Sequence, residues 1–357
     1  METVASIEDP TISNVLVPTF QAFAPLLEKK REDFLGANKV TLQYGRTPRH
    51  MMDIYYPEIM CIKHGDEAPV LFFFYGGGFT TGDRNLTAPY DLVYSNIGWF
   101  FSQRGFVTII ADYRLVPEVQ FPAPADDVYQ AVSWAIENKE QIQDAGDMPY
   151  DLNFDSVFLI GHSAGAVHLA TALLMPGLLC VDPETRDRIA GAILISGAYS
   201  FRGLEVGSPL EEVVGQYWGS FEAAQTNSIQ ALLESAPSDI ISVLPEVLMV
   251  EGDREPHWLV MSGGDFQQRL SERTTKPEAF NEIPPTPDDG PLPRVTIGSV
   301  TRLVAKGHNH ISLHLSLGSG EGEQWGEMVL KWMRSVLNKR EIYALALAAQ
   351  GLESESE

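Results

Sequence analysis

The 357-residue sequence predicts an α/β protein in which a mostly parallel, eight-stranded sheet is flanked by helices. Three observations carry this expectation. Eight short apolar runs rich in β-branched and aromatic residues recur along the chain, stretches with helical spacing separate most of the later ones, and glycine-rich turns follow two of the runs directly. The strands are expected at 40–44, 51–56, 70–74, 106–111, 157–160, 192–195, 247–250 and 299–304. Strands alternating with helices imply βαβ units, and the first two or three strands are expected to pair antiparallel at one edge.

The helical stretches are 122–142, 164–175 and 323–347. Three segments depart from the alternation. Residues 11–35 precede the first strand and have helical character, 201–245 separate two strands by more than one crossover needs, and 264–297 contain the loop sequence PPTPDDGPLP. The expected division is a core of 36–200 and 246–357, a helical cap of 1–35 and 201–245, and a surface insertion at 264–297. The last helix ends in the apolar run IYALALAA, a candidate contact for a homodimer or for its own core.

Composition bounds the function. With 44% apolar residues, 17 Phe, 12 Tyr and 6 Trp, the chain can bury a core and shield an active site. The 48 acidic residues against 25 Lys and Arg give a net charge of −23, which argues against nucleic acid or an anionic membrane surface as partner. Two cysteines, Cys61 and Cys180, lie far apart and outside any metal-ligand spacing, as expected in a reducing compartment. No window approaches the length of a membrane span, the N-terminus lacks a basic and apolar leader, and the tail LESESE is no targeting signal; a cytoplasmic protein is expected.

The strand VFLI at 157–160 runs into Gly161-His162-Ser163-Ala164-Gly165, and the apolar helix AVHLATALLM follows. A G-x-S-x-G pattern between a strand and a helix is the context of a nucleophile elbow, with Ser163 exposed at the turn. An earlier strand, VLFFF, runs into Tyr75-Gly76-Gly77-Gly78-Phe79. Three consecutive glycines cost conformational entropy and signal that the backbone must stay bare there. A serine nucleophile acting on an ester or amide needs N–H donors aimed at a developing oxyanion, and such a loop supplies them.

These motifs resemble the α/β-hydrolase fold and, within it, the hormone-sensitive-lipase-like carboxylesterases, whose loop reads His-Gly-Gly-Gly. The segment ADYRLVPEVQFPAPADD at 111–127 is similar to that family's D-Y-R-L-A-P-E-x-x-F-P-A block. Tyr75 stands where the family has His, and His162 where it commonly has Asp; the Gly-His-Ser-Ala-Gly-Ala elbow also resembles kynurenine formamidases. The resemblance implies oxyanion donors at the amides of Gly77, Gly78 and Ala164. It places the acid after a late strand and the base after the last one. In VLMVEGDREPHW the family's G-x-x-D-P pattern maps its acid onto Glu255, with Asp253 as the alternative. In SVTRLVAKGHNHISLH the family's Asn-His maps onto Asn309-His310, with His308 as the alternative base and His314 as a structural residue.

The H-x-H-x-x-x-H spacing of His308, His310 and His314 is not read as a metal site, because no carboxylate cluster accompanies it and the serine motif already uses one histidine. No cofactor is expected. His168, among apolar residues of the elbow helix, reads as a core histidine. Tyr75, Phe79, Tyr217 and Trp218 are candidates for lining a substrate pocket, and Tyr217 and Trp218 are equally candidates for docking the cap on the core. The expected activity is hydrolysis of a small or medium hydrophobic ester by Ser163, Glu255 and His310. An arylformamidase or a natural-product hydrolase or cyclase using the same triad is the alternative, and a ligand receptor built on the same fold is the third reading.

Overall fold

A computed structural model describes residues 1–62, 67–179, 182–274 and 300–354. Among the described residues eight strands form one sheet: β1 (Lys39–Gln43), β2 (Met51–Tyr55), β3 (Ala68–Phe74), β4 (Val107–Ala111), β5 (Leu152–His162), β6 (Ile189–Ile195), β7 (Glu246–Arg254) and β8 (Thr301–Asn309). Their order is β1-β2-β4-β3-β5-β6-β7-β8. Both β1–β2 and β2–β4 pair antiparallel, and every pair from β4 through β8 is parallel. This is the α/β-hydrolase fold.

The central strands are legible because helices cover both faces. Every residue of β4 and β6 is buried, so these strands read as unbroken apolar runs and do not alternate. The edge strand β1 alternates between exposed and half-buried positions. Strands β7 and β8 continue past their apolar stretches into EGDR and KGHN, which carries charged and polar residues to the carboxyl end of the sheet. Ligands of open parallel sheets bind at that end.

The expected helix at 122–142 is two helices, Ala123–Glu137 and Lys139–Gly146, broken at Asn138, whose side-chain amide donates to the Trp134 carbonyl at 2.7 Å. The 264–297 segment begins inside the helix His257–Thr274; residues 275–299, with the PPTPDDGPLP loop, lie outside the described residues. Cys180 also lies outside them. The last helix spans Gln324–Ser354, and its side chains at 341–346 are exposed. None of the described helices is long and apolar enough to cross a membrane.

The two segments expected to form a cap join different apolar clusters. Val15, Phe23, Leu27 and Phe34, from the helices Ile12–Glu28 and Arg31–Leu35, pack with Leu71, Phe73 and Tyr75. Residues 201–245 form four short helices, Pro209–Trp218, Phe221–Thr226, Ile229–Ser235 and Ser238–Ser242. Their buried residues, among them Tyr217, Trp218 and Leu233, pack with Phe72, Phe74 and Phe79. Because successive side chains of β3 point to opposite faces, the two segments lie against opposite faces of the sheet. Ser208, Ser220 and Ser228 cap the first three of the four helices, each accepting a backbone N–H from the first turn.

Candidate active site

Ser163 ends the turn between β5 and the helix Ala164–Leu174 with φ 54 and ψ −119, a strained conformation for a residue with a side chain. The flanking glycines make the turn feasible. A Cβ on Gly161 would lie 2.6 Å from the Gly165 carbonyl oxygen, and one on Gly165 would overlap the carbonyl oxygens of Phe74 and Tyr75. The Ser163 amide donates to the Ile195 carbonyl at 2.8 Å, which ties the turn to the end of β6.

Three strand ends converge on the serine. His310, directly after β8, has Nε2 2.8 Å from Ser163 Oγ, and its Nδ1 lies 2.9 Å from Glu255 Oε2, just beyond β7. Nδ1 faces a carboxylate and carries the proton, so Nε2 is free to accept the serine hydrogen. Glu255 and His310 are buried. The second carboxylate oxygen of Glu255 accepts a 2.5 Å hydrogen bond from Ser196 Oγ at the end of β6. A hydroxyl, an imidazole and a carboxylate are thus in hydrogen-bond reach of one another, the arrangement that activation of a serine requires.

The glycine loop lies against this constellation. A Cβ on Gly76 would come within 2.8 Å of Ser163 Cβ, so the first glycine is required by the serine itself. Gly77, at φ 142, would overlap the Thr81 carbonyl, whereas a Cβ on Gly78, at φ 57, would meet nothing within 4 Å. The bare face of the loop is therefore at Gly78. Ala164 is the first residue of its helix, so its N–H lacks an intrahelical acceptor and sits at the positive end of the helix dipole.

The remaining sequence candidates separate. Asp253 is exposed and accepts the Gly307 amide at 2.7 Å. His308 turns to Ser312 Oγ at 3.0 Å and the Gly322 carbonyl at 2.9 Å. His314 is buried between Phe20, Tyr94 and His162, and burial pushes its pKa down to about 3. Among the described residues no group of three or more His, Cys, Asp or Glu is placed to hold a metal.

A scan of family models matches residues 52–190 to BD-FAE. The chain is 27% identical over 229 residues to a probable carboxylic ester hydrolase, LipM, of Mycobacterium tuberculosis, covering 61% of this chain and 48% of that protein. It is 27% identical over 172 residues to the kynurenine formamidase of Drosophila melanogaster, covering 48% of each. The chain thus spans about half the length of these curated relatives. Among solved structures, a hyperthermophilic esterase from the archaeon Pyrobaculum calidifontis superposes with a TM-score of 0.59 at 18% identity, covering 91% of this chain and 94% of that one, a likeness of fold. The chain has the α/β-hydrolase fold, and its relatives are carboxylesterases and a formamidase.

In this α/β-hydrolase the 111–127 block clamps the glycine loop. Tyr113 Oη donates to the Tyr75 carbonyl at 2.7 Å, the Val116 amide donates to the Phe79 carbonyl at 3.0 Å, and Asp112 accepts from the Arg84 amide at 2.8 Å and the Tyr75 hydroxyl at 2.5 Å. Arg84 also pairs its guanidinium with Asp112 and, at 3.0 Å, with Asp53. Arg49 donates to the Tyr75 hydroxyl at 2.8 Å and to the Gly82 carbonyl at 2.9 Å. Burial pushes the Asp112 carboxyl up, and the Tyr75 hydroxyl and Arg84 hold it down.

The expected role of Tyr75 as a pocket residue needs correction. Its ring is fully buried, stacked between Tyr94 and Tyr113, and its hydroxyl is spent on Asp112 and Arg49, so it braces the loop from beneath and offers a ligand no surface. Phe79, Tyr217 and Trp218 pack on one another: Phe79 stacks on Tyr217 at 4.5 Å, and Trp218 meets both edge-on. This cluster docks the helix Pro209–Trp218 onto the loop. His168 lies fully buried beneath it, with Nδ1 3.1 Å from Tyr217 Oη and a pKa pushed down to about 3 by burial.

The roles of four residues were not anticipated, although Asn309 had been noted beside His310. Ser196 holds Glu255; Asn309 accepts the amides of Ile311 and Ser312 and donates to Thr19 Oγ1 at 2.9 Å, fixing the His310 loop; and Arg49 and Arg84 anchor the glycine loop. A cleft of about 1580 Å³, lined by Pro69, Phe106, Asn153 and Ile189, lies at the strands' amino ends, away from Ser163.

Proposed function

We propose that this protein hydrolyses a carboxylic ester of a small or medium hydrophobic substrate through an acyl-enzyme. The observation that carries the reading is the chain of contacts from Ser163 Oγ to His310 Nε2 at 2.8 Å and from His310 Nδ1 to Glu255 at 2.9 Å. His310 takes the serine proton as Oγ attacks the acyl carbon, and Glu255 stabilises the imidazolium that forms. The amides of Gly77, Gly78 and Ala164 donate to the oxyanion. His310 then returns the proton to the leaving alcohol. A water, deprotonated by the same imidazole, releases the acid and regenerates Ser163.

The carboxylesterase relatives support ester chemistry. Close packing of Phe79, Tyr217 and Trp218 supports a compact substrate, because these side chains fill space beside the loop. Turnover of p-nitrophenyl acetate and butyrate that disappears in Ser163→Ala is the expected result; turnover that survives the substitution would sink the assignment.

A second reading, cleavage of an aryl N-formyl amide, is favoured by Gly161-His162-Ser163-Ala164-Gly165-Ala166 together with the kynurenine formamidase relative. It needs the same groups, with His310 protonating a leaving nitrogen. A kcat/KM for N-formylkynurenine well above that for p-nitrophenyl butyrate would move this reading ahead.

A further inference from the structure

We propose that His162 is a positioning residue that ties the His310 loop to the nucleophile elbow, gripping the base through its main-chain carbonyl. The inference rests on reading Ser163, Glu255 and His310 as a working triad. His162 Nε2 lies 2.9 Å from the His310 carbonyl oxygen, and His162 is buried. A carbonyl can only accept, so Nε2 carries the proton and donates it. Nδ1 is then bare, and among the described residues it has no hydrogen-bond partner. It faces Gly76, where an added Cβ would stand only 3.2 Å away.

The dipeptide His162-Ser163 therefore acts on the base from two sides. Ser163 meets the imidazole of His310 at Nε2, and His162 meets its backbone. Glu255 fixes the ring's rotation through Nδ1, but a ring held only there can still shift with its loop. The His162 bond removes that freedom by fixing the point from which the side chain departs. Its own ring is confined by His314 at 4.8 Å and His310 at 5.2 Å between centroids. The Asp common at this position in the hormone-sensitive-lipase-like family could not perform this task as a carboxylate, because an acceptor facing a carbonyl repels it.

Two measurements test the tether. The first is the labelling rate of Ser163 by a fluorophosphonate, which depends on His310 activating the serine and requires no known substrate. His162→Phe keeps a ring of similar size without the donor and should slow labelling roughly tenfold to a hundredfold, the scale of a misplaced base. His162→Gln places an amide donor near the Nε2 position and should stay within about threefold of the parent. A role in filling space alone predicts the reverse order, with Phe as good as His and Gln worse. The second measurement is the His162 tautomer in the parent protein by ¹⁵N NMR, where the Nε2–H form is expected from pH 6 to 8. Equal labelling of the parent and His162→Phe, or an Nδ1–H tautomer, overturns the tether. A parent protein that is not labelled at Ser163 overturns the triad reading instead, and the tautomer still decides the tether.

Discussion

Lowering the pH from 7.5 to 5.5 should destabilise the fold through its buried histidines. His168 and His314 are shut away from water, and His168 Nε2 and both nitrogens of His314 have no hydrogen-bond partner among the described residues. Burial holds each pKa at about 3, against an ordinary value of 6.5. His162 shifts the same way, from burial first and then from His314 and His310. Between pH 6.5 and 3 the unfolded chain takes up protons that the folded rings refuse, so the stability present above pH 6.5 is lost as the pH falls. One unit below the ordinary pKa this amounts to about 1.4 kcal/mol per histidine, or about 3 kcal/mol for His168 and His314 together. Asp112 and Glu251, whose carboxyls burial pushes up, act in the opposite sense and are only partly offset by Arg84 and Arg302. Urea unfolding at the two pH values reads the difference as a shift in midpoint at constant slope. Equal midpoints, or NMR titration of these rings near pH 6.5, would refute the reasoning.

Three further outcomes are expected. Glu255→Gln should lower kcat roughly 10⁴-fold by disturbing the His310 tautomer, while Asp253→Asn, which keeps an oxygen for the Gly307 amide, should change it less than about threefold; steady-state kinetics on one p-nitrophenyl ester compares them. Tyr75→Phe deletes two buried hydrogen bonds but leaves Asp112 with Arg84 and Arg49 with the Gly82 carbonyl, so the cost should be about 2 kcal/mol in urea unfolding. Gly77→Ala should disrupt the loop by collision with Thr81, whereas Gly78→Ala should cost only the left-handed backbone, about 1–2 kcal/mol; paired melting and labelling measurements separate the two.

The parts of this fold that were legible in the sequence are those specified locally. Strands β3, β4 and β6 and the second half of β5 are buried on both faces and leave largely apolar runs, and the elbow leaves its glycines because Gly161 and Gly165 have no room for a side chain. The choice between Glu255 and Asp253 was not local. Both lie at the carboxyl end of the same strand, and only the approach of β8 decides which carboxylate meets His310. Ser196 and the role of Asn309 escaped notice because their partners, Glu255 and Thr19, lie 59 and 290 residues away in the chain. Ser196 did leave a signal, since it directly follows β6, the neighbour of the strand that leads into Ser163. Tyr75 was misplaced for a similar reason: its neighbours in sequence are the loop, but its hydroxyl belongs with Asp112 and Arg49. The break at Asn138 was hidden because both helices keep their apolar spacing across it.

The most direct test of a working Ser163–His310–Glu255 triad is fluorophosphonate labelling of the purified protein, with the adduct located by peptide mass spectrometry. The account predicts one adduct per chain, on Ser163, with none on Ser163→Ala and labelling slowed at least roughly a thousandfold in His310→Ala. An adduct on another residue, or no adduct on a folded protein, would contradict it.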